Sequence, residues 1–127
     1  MSVYLNIIPV HPNSFRGELL LEINTRLRFT QDYRILGQLT DLSEHAECKG
    51  LTVLPSYPLP PGVVVEMIFN ERATTTNLDD FGDSLTYMTA AAMKYLVLPE
   101  DSYVSDRAIM AYINTLPGDW AIVLVWN

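Results

Sequence analysis

Residues 77–98 read NLDDFGDSLTYMTAAAMKYLVL, and the layout of the whole chain turns on this stretch. Leu78, Phe81, Leu85, Met88, Ala92 and Leu96 recur every three or four positions, the spacing that lines apolar side chains along one helical face. Asn77 is a residue type that caps helix N-termini, with Asp80 three positions on, and Pro99 lacks the amide hydrogen needed to continue. The spacing predicts a helix over 78–98.

Upstream, residues 30–50 give a second helical reading. Ile35, Leu39, Leu42 and Ala46 share a face, Thr30 stands as the expected N-cap with Asp32 in the first turn, and Gly50 ends the run. Residues 51–62 carry Pro55, Pro58, Pro60 and Pro61 and are expected as an extended loop. Strands are expected at 3–10, rich in β-branched and aromatic residues, and at 18–29, where Leu19, Leu21 and Ile23 alternate with polar neighbours. A further strand at 63–69 shows little alternation, as a central strand would. Residues 70–76 are polar and read as a loop. The last segment reads as a hairpin, with strands at 107–114 and 120–126 around a turn at Leu116-Pro117-Gly118-Asp119.

Five strands and two helices with short links predict a single α+β domain over residues 1–127, a small mixed sheet of about five strands with two helices packed on one face. The final strand is apolar almost to its end, so it is expected either at the centre of the sheet or covered by a partner, which makes a homodimer through that strand an expectation.

Composition bounds the function. Of 127 residues 49% are apolar and 18% charged, which suits a packed domain rather than a disordered chain. The net charge of −7 works against nucleic-acid binding, because affinity for a phosphate backbone comes from Lys and Arg. No membrane span is expected: Glu66 and Lys94 interrupt the two best apolar runs. The N-terminal residues read as a strand rather than a signal peptide. Cys48 is the single cysteine, so no internal disulfide forms, and a cytoplasmic setting is expected.

Asp79, Asp80 and Asp83 form the densest charge cluster, with Glu100 and Asp101 at the far end of the expected helix. Carboxylates are the ligands of hard divalent cations and also the natural contacts for basic proteins. His11 and His45 have no ligand-type neighbours in sequence, and neither glycine-rich phosphate loops nor a nucleophile elbow occur. Tyr57, Tyr103, Tyr112, Trp120 and Trp126 are aromatic types favoured both in cores and at interfaces.

Residues 77–83, the later pair Glu100-Asp101 and the proline-containing strand end at Ile8–Ser14 resemble the RusA-type Holliday-junction resolvases. The resemblance implies a Mg²⁺-dependent, structure-specific DNA endonuclease with Asp79 and Asp101 as metal-binding and catalytic residues. Asn77 stands where that family has its first aspartate, and Asp83 where it has a lysine. With this set incomplete, the reading preferred from the residues is a non-enzymatic protein-binding or inhibitory module without a cofactor. Its acidic surface, Asp79, Asp80, Asp83, Glu100 and Asp101, would meet a partner protein with a basic surface by presenting carboxylates where nucleic-acid phosphates would bind.

Overall fold

The computed structural model of the chain describes residues 3–15, 19–21, 27–69 and 71–127. In chain order the elements are β1 (Leu5–Val10), β2 (Leu19–Leu21), β3 (Leu27–Arg28), α1 (Tyr33–Leu36), a 3₁₀ turn (Ala46–Cys48), β4 (Tyr57–Pro58), β5 (Val63–Phe69), β6 (Arg72–Thr76), β7 (Thr86–Thr89), α2 (Ala90–Met93), α3 (Val104–Thr115) and β8 (Ala121–Trp126).

The run AIVLVW of β8 has no polar side chain, so both its faces must be covered. It lies at the centre of a five-stranded antiparallel sheet ordered β3-β1-β8-β7-β4. Ile122 and Leu124 point to one face, where they join Leu5, Ile7, Met88, Ile109 and Ile113 beneath the three helices. Ala121, Val123 and Val125 point to the other face, where they meet Ile8, Val10, Val63 and Val65. The last two come from β5, the middle strand of a second sheet, in which β2 runs parallel and β6 antiparallel to it. The protein is thus α+β, with one sheet packed between helices and a smaller sheet. Pro9 sits in β1 opposite Ile122; Tyr4 and Asn127 exchange backbone bonds, so residues 4, 6, 8 and 10 of this strand bond to β8 and the ring nitrogen of Pro9 faces away from it.

The helix expected over 78–98 does not form. Residues 77–84 instead make a tight loop closed by a bridge between Leu78 and Ser84. Asp79 Oδ1 accepts from the amides of Phe81 (2.8 Å) and Asp83 (3.0 Å), and Gly82 takes φ +83°, a conformation costly for any side chain. Local side chain to backbone bonding has outcompeted the helix. Thr86 to Thr89 then follow the β preference of Thr and Tyr, and only Ala90–Met93 coil, capped by Thr89 Oγ1 on the amide of Ala92 (3.1 Å). Leu78 and Phe81, expected in the core, are exposed.

The helix expected over 30–50 shrinks to Tyr33–Leu36. Asp32, not Thr30, is its N-cap. Gly37 follows, at a point where a Cβ would stand 2.6 Å from Cys48 Sγ and 2.8 Å from the Tyr33 carbonyl oxygen. Only a glycine lets the chain after α1 come this close to the 3₁₀ turn.

The strand expected over 107–114 is the longest helix, α3. Asp106, Ile109, Met110 and Ile113 are buried at i, i+3, i+4 and i+7, and Pro117 lies just past its end. β6 takes the place of the loop expected over 70–76, with Glu71 at φ 63° in its turn from β5. Of the strand expected over 18–29, Leu19–Leu21 and Leu27–Arg28 form in two different sheets; residues 18 and 22–26 lie outside the described residues. Of the two settings expected for the last strand, the central one is found: both edges of β8 are taken by β1 and β7.

α3 is fastened by a fully buried carboxylate. Asp106 accepts from the Thr30 amide (2.9 Å) and from Thr30 Oγ1, tying the helix to the chain leaving β3. Asp106→Ala leaves both Thr30 donors without their acceptor and is expected to cost about 2–3 kcal/mol. Urea denaturation of the two proteins checks this, and a loss below 1 kcal/mol would refute the tether.

Candidate functional site

Two clefts share a wall below the helical face of the sheet. The larger, about 720 Å³, is lined by Leu51, Leu54, Tyr95, Val97 and Pro99 together with Arg34, Gln38 and Glu47. The smaller, about 570 Å³, is lined by Thr30, Gln31, Asp32, Tyr33 and Tyr103, again with Arg34 and Glu47. The side chains lining them include three large apolar groups left in solvent: Tyr95 (77% exposed), Val97 (69%) and Tyr103 (70%).

The geometry is set by two links across the cleft floor. Gln38 is buried, and its side-chain amide copies a strand partner: Nε2 donates to the Val97 carbonyl (2.8 Å) while Oε1 accepts from the Val97 amide (2.8 Å). A further Nε2 bond to the Arg34 carbonyl (2.9 Å) anchors the amide to α1, and the Gln38 carbonyl accepts from the Leu54 amide (2.8 Å). Residue 97 is held with its backbone bonded inward and its side chain outward. The second link is electrostatic: Arg34 makes a bidentate pair with Asp32 (3.0 and 2.9 Å) and a second ion pair with Asp101 (3.0 Å). The hydrogen bonds from Arg34 hold the Asp32 carboxyl below its usual range, and the two carboxylates raise the Arg34 guanidinium further.

The five acidic residues singled out in sequence sit on separate loops. Asp79 is occupied closing its own turn, and Asp80 accepts from Asn127 Nδ2 (3.0 Å) while its amide donates to the Trp126 carbonyl (3.2 Å). Asp83 belongs to the same loop, beyond the C-terminal end of β8. Asp101, by contrast, is bound to Arg34 at the rim of the clefts, and the Glu100 carbonyl accepts from Arg107. The long helix meant to separate the two sets is absent, so the acidic sets do not mark its ends. Among the described residues no three His, Cys, Asp or Glu side chains are grouped to hold a metal ion. Asp79 and Asp101, the two carboxylates assigned to Mg²⁺ by resemblance, are engaged by backbone amides and by Arg34 respectively.

The remaining candidates have structural partners. His11 accepts from the Asn13 amide (3.0 Å) and packs edge-on to Trp120; His45 packs on Tyr33. Cys48 is buried, its Sγ 3.1 Å from the Tyr33 carbonyl, and burial pushes the thiol pKa up, away from the reactive thiolate. Trp120 and Trp126 pack half-buried on the core, whereas Tyr57, Tyr103 and Tyr112 are exposed. Arg34, Gln38, Tyr95 and Val97 were missed as site residues because each was read as part of a regular helix. The signal present was the crowding of Tyr95, Val97 and Pro99 beyond the last helical turn.

No helix of the described residues is long and apolar enough to cross a membrane. Compared with protein-family models, with characterised proteins and with solved structures, the chain gives no significant match.

The depressed Asp32 carboxyl adds stability that is complete above the ordinary carboxylate range, about pH 4, and is lost as pH falls through its lower folded-state value. Wild-type protein is therefore expected to lose stability steeply below pH 4, and Asp32→Asn to start less stable at pH 7 but lose less on acidification. Thermal melts between pH 2.5 and 7 compare the two slopes, and equal slopes would rule out Asp32 as a source. In the same region, Gly37→Ala forces a Cβ against Cys48 and the Tyr33 carbonyl and is expected to cost about 1–3 kcal/mol, measured by urea denaturation.

Proposed function

We propose that this protein is a non-enzymatic protein-binding module whose contact surface is the apolar cleft between α1 and residues 95–99. The observation that carries this reading is the exposure of Tyr95 and Val97 in an open cleft lined by Leu51, Leu54 and Pro99, with Tyr103 exposed in the adjoining cleft. A group of large apolar side chains held in solvent by buried backbone bonds is a cost that association with another protein removes. Tyrosines suit such contacts because they bury much area with few rotatable bonds.

Acidic residues enter this reading at the rim. Glu47, Glu100 and Asp101 are exposed beside the cleft, so basic side chains around an apolar anchor are the expected feature of the partner. The carboxylates on the 77–84 loop lie outside this contact surface. The setting proposed is the cytoplasm, which is consistent with a lone, buried thiol.

Tyr95→Ala combined with Val97→Asp changes only exposed side chains, leaving the Gln38 bonds to the Val97 backbone in place. Affinity capture from the native source is expected to recover a protein with wild type and to lose it with the double variant, while the circular dichroism spectra coincide. Retention of the same partner by the double variant would sink the proposal.

A further inference from the structure

The β5–β6 hairpin carries a strand edge that the rest of the fold leaves open. β5 passes to β6 through a two-residue turn, with Phe69 opposite Arg72 and Glu71 at φ 63°. Residues flanking so short a turn pair only by exchanging both backbone bonds, so Arg72, Thr74 and Thr76 bond inward to β5. Alternation along the strand then turns the amides and carbonyls of Ala73 and Thr75 to the other side. β6 is the last strand of its sheet, both residues are exposed, and among the described residues no backbone group outside the hairpin bonds to them.

The hairpin also outruns its support. Among the described residues β2 lies beside β5 only at positions 63–65, so from residue 66 onward the ribbon has two strands. Arg72, Ala73, Thr74 and Thr75 are all exposed although successive side chains point to opposite faces, so neither face of β6 is covered there. A two-stranded ribbon is marginal in water, and further strands are what steady it. The other edge strands are protected: β2 and β3 have three and two residues, and β4 is two residues long with Pro58 as the second. β6 has five residues, no proline, and three threonines in succession, a β-branched type that favours strands.

A second copy of this chain fits that edge. Antiparallel pairing about a two-fold axis at Thr74 sets Ala73 of each copy opposite Thr75 of the other. The two residues then exchange their outward amides and carbonyls, and every outward group on both strands finds a partner. In the same register Arg72 falls opposite Thr76, so no like charges are opposed, and Glu71 lies beyond the last pair. Each ribbon thereby supplies the strand that the other lacks.

We infer that β6 pairs antiparallel with β6 of a second copy, joining the two hairpins into one continuous sheet and making the protein a reversible dimer. The contact is one short strand on each side, so the association is weak. No residue of β6 lines the clefts around Tyr95 and Val97, so the dimer and the cleft contact succeed or fail independently.

Sedimentation velocity of the purified chain from about 5 to about 500 μM is expected to show a monomer–dimer equilibrium. Thr75→Pro removes an outward amide and no bond to β5, and is expected to weaken dimerisation by about tenfold or more with the circular dichroism spectrum unchanged. If that variant fails to fold, cross-linking decides, since Cys48 is buried and a cysteine placed in β6 is the accessible thiol. Thr74→Cys sets two thiols opposite each other at the axis, in a pair without backbone bonds where strands approach most closely. Under mild oxidation it is expected to form disulfide-linked dimer about tenfold faster than Thr75→Cys. Tyr95→Ala with Val97→Asp is expected to leave the dimer unchanged. A chain that stays monomeric, whether its edge is bare or taken by another protein's strand, overturns the inference. So does a dimer that keeps its full strength with Thr75→Pro, one that links as fast with Thr75→Cys as with Thr74→Cys, or one lost with the cleft variant.

Discussion

The pairing of β8 with β1 on one side and β7 on the other is the constraint from which the rest of the structure follows. A strand of six residues with no polar side chain cannot present either face to water. Helices cover Ile122 and Leu124, and the β5 strand of the smaller sheet covers Val123 and Val125. Each core alone is modest; together they bury β8 from both sides, which is how a short chain with a single, unpaired cysteine closes around one sheet.

Covering the helical face with so little helix leaves long irregular segments, and these need polar bonds of their own. Asp106 ties α3 to Thr30, Gln38 takes the place of a strand beside Val97, and Lys94 Nζ donates to the Leu116 carbonyl (2.6 Å) at the end of α3. These bonds explain why residues 95–104 can carry exposed Tyr and Val side chains without collapsing them inward. Structural need and a candidate contact surface thus arise from the same solution: backbone groups satisfied inside, side chains left outside.

Charge, the most visible property of the composition, is spread over several loops. Asp79 shapes its own turn, Asp80 holds the C-terminal Asn127, and Asp32 and Asp101 share Arg34. Most of these carboxylates therefore have an intramolecular use. An acidic surface by itself says less about the partner than the apolar groups standing among the acids.

The amino-acid sequence by itself determined the α+β class, the strands at 5–10, 63–69 and 121–126, and the extended proline segment. In each case the signal is local: β-branched runs without polar faces, or rings that fix φ. What only the tertiary structure decided is the fate of the amphipathic stretches. The stripe from Leu78 to Leu96 fits a helix, but Asp79 bonding its own loop amides and Thr86–Thr89 completing the sheet beside β8 are worth more than the helix. Arg107–Asn114 reads as one arm of a hairpin, yet with β1 and β7 already flanking β8 its apolar residues bury better as one face of α3. The acidic set moved with those elements, because carboxylates placed at the ends of an imagined helix belong in fact to two separate loops. Periodicity records which residues prefer to be buried; the partners available to β8 settled which backbone shape buried them.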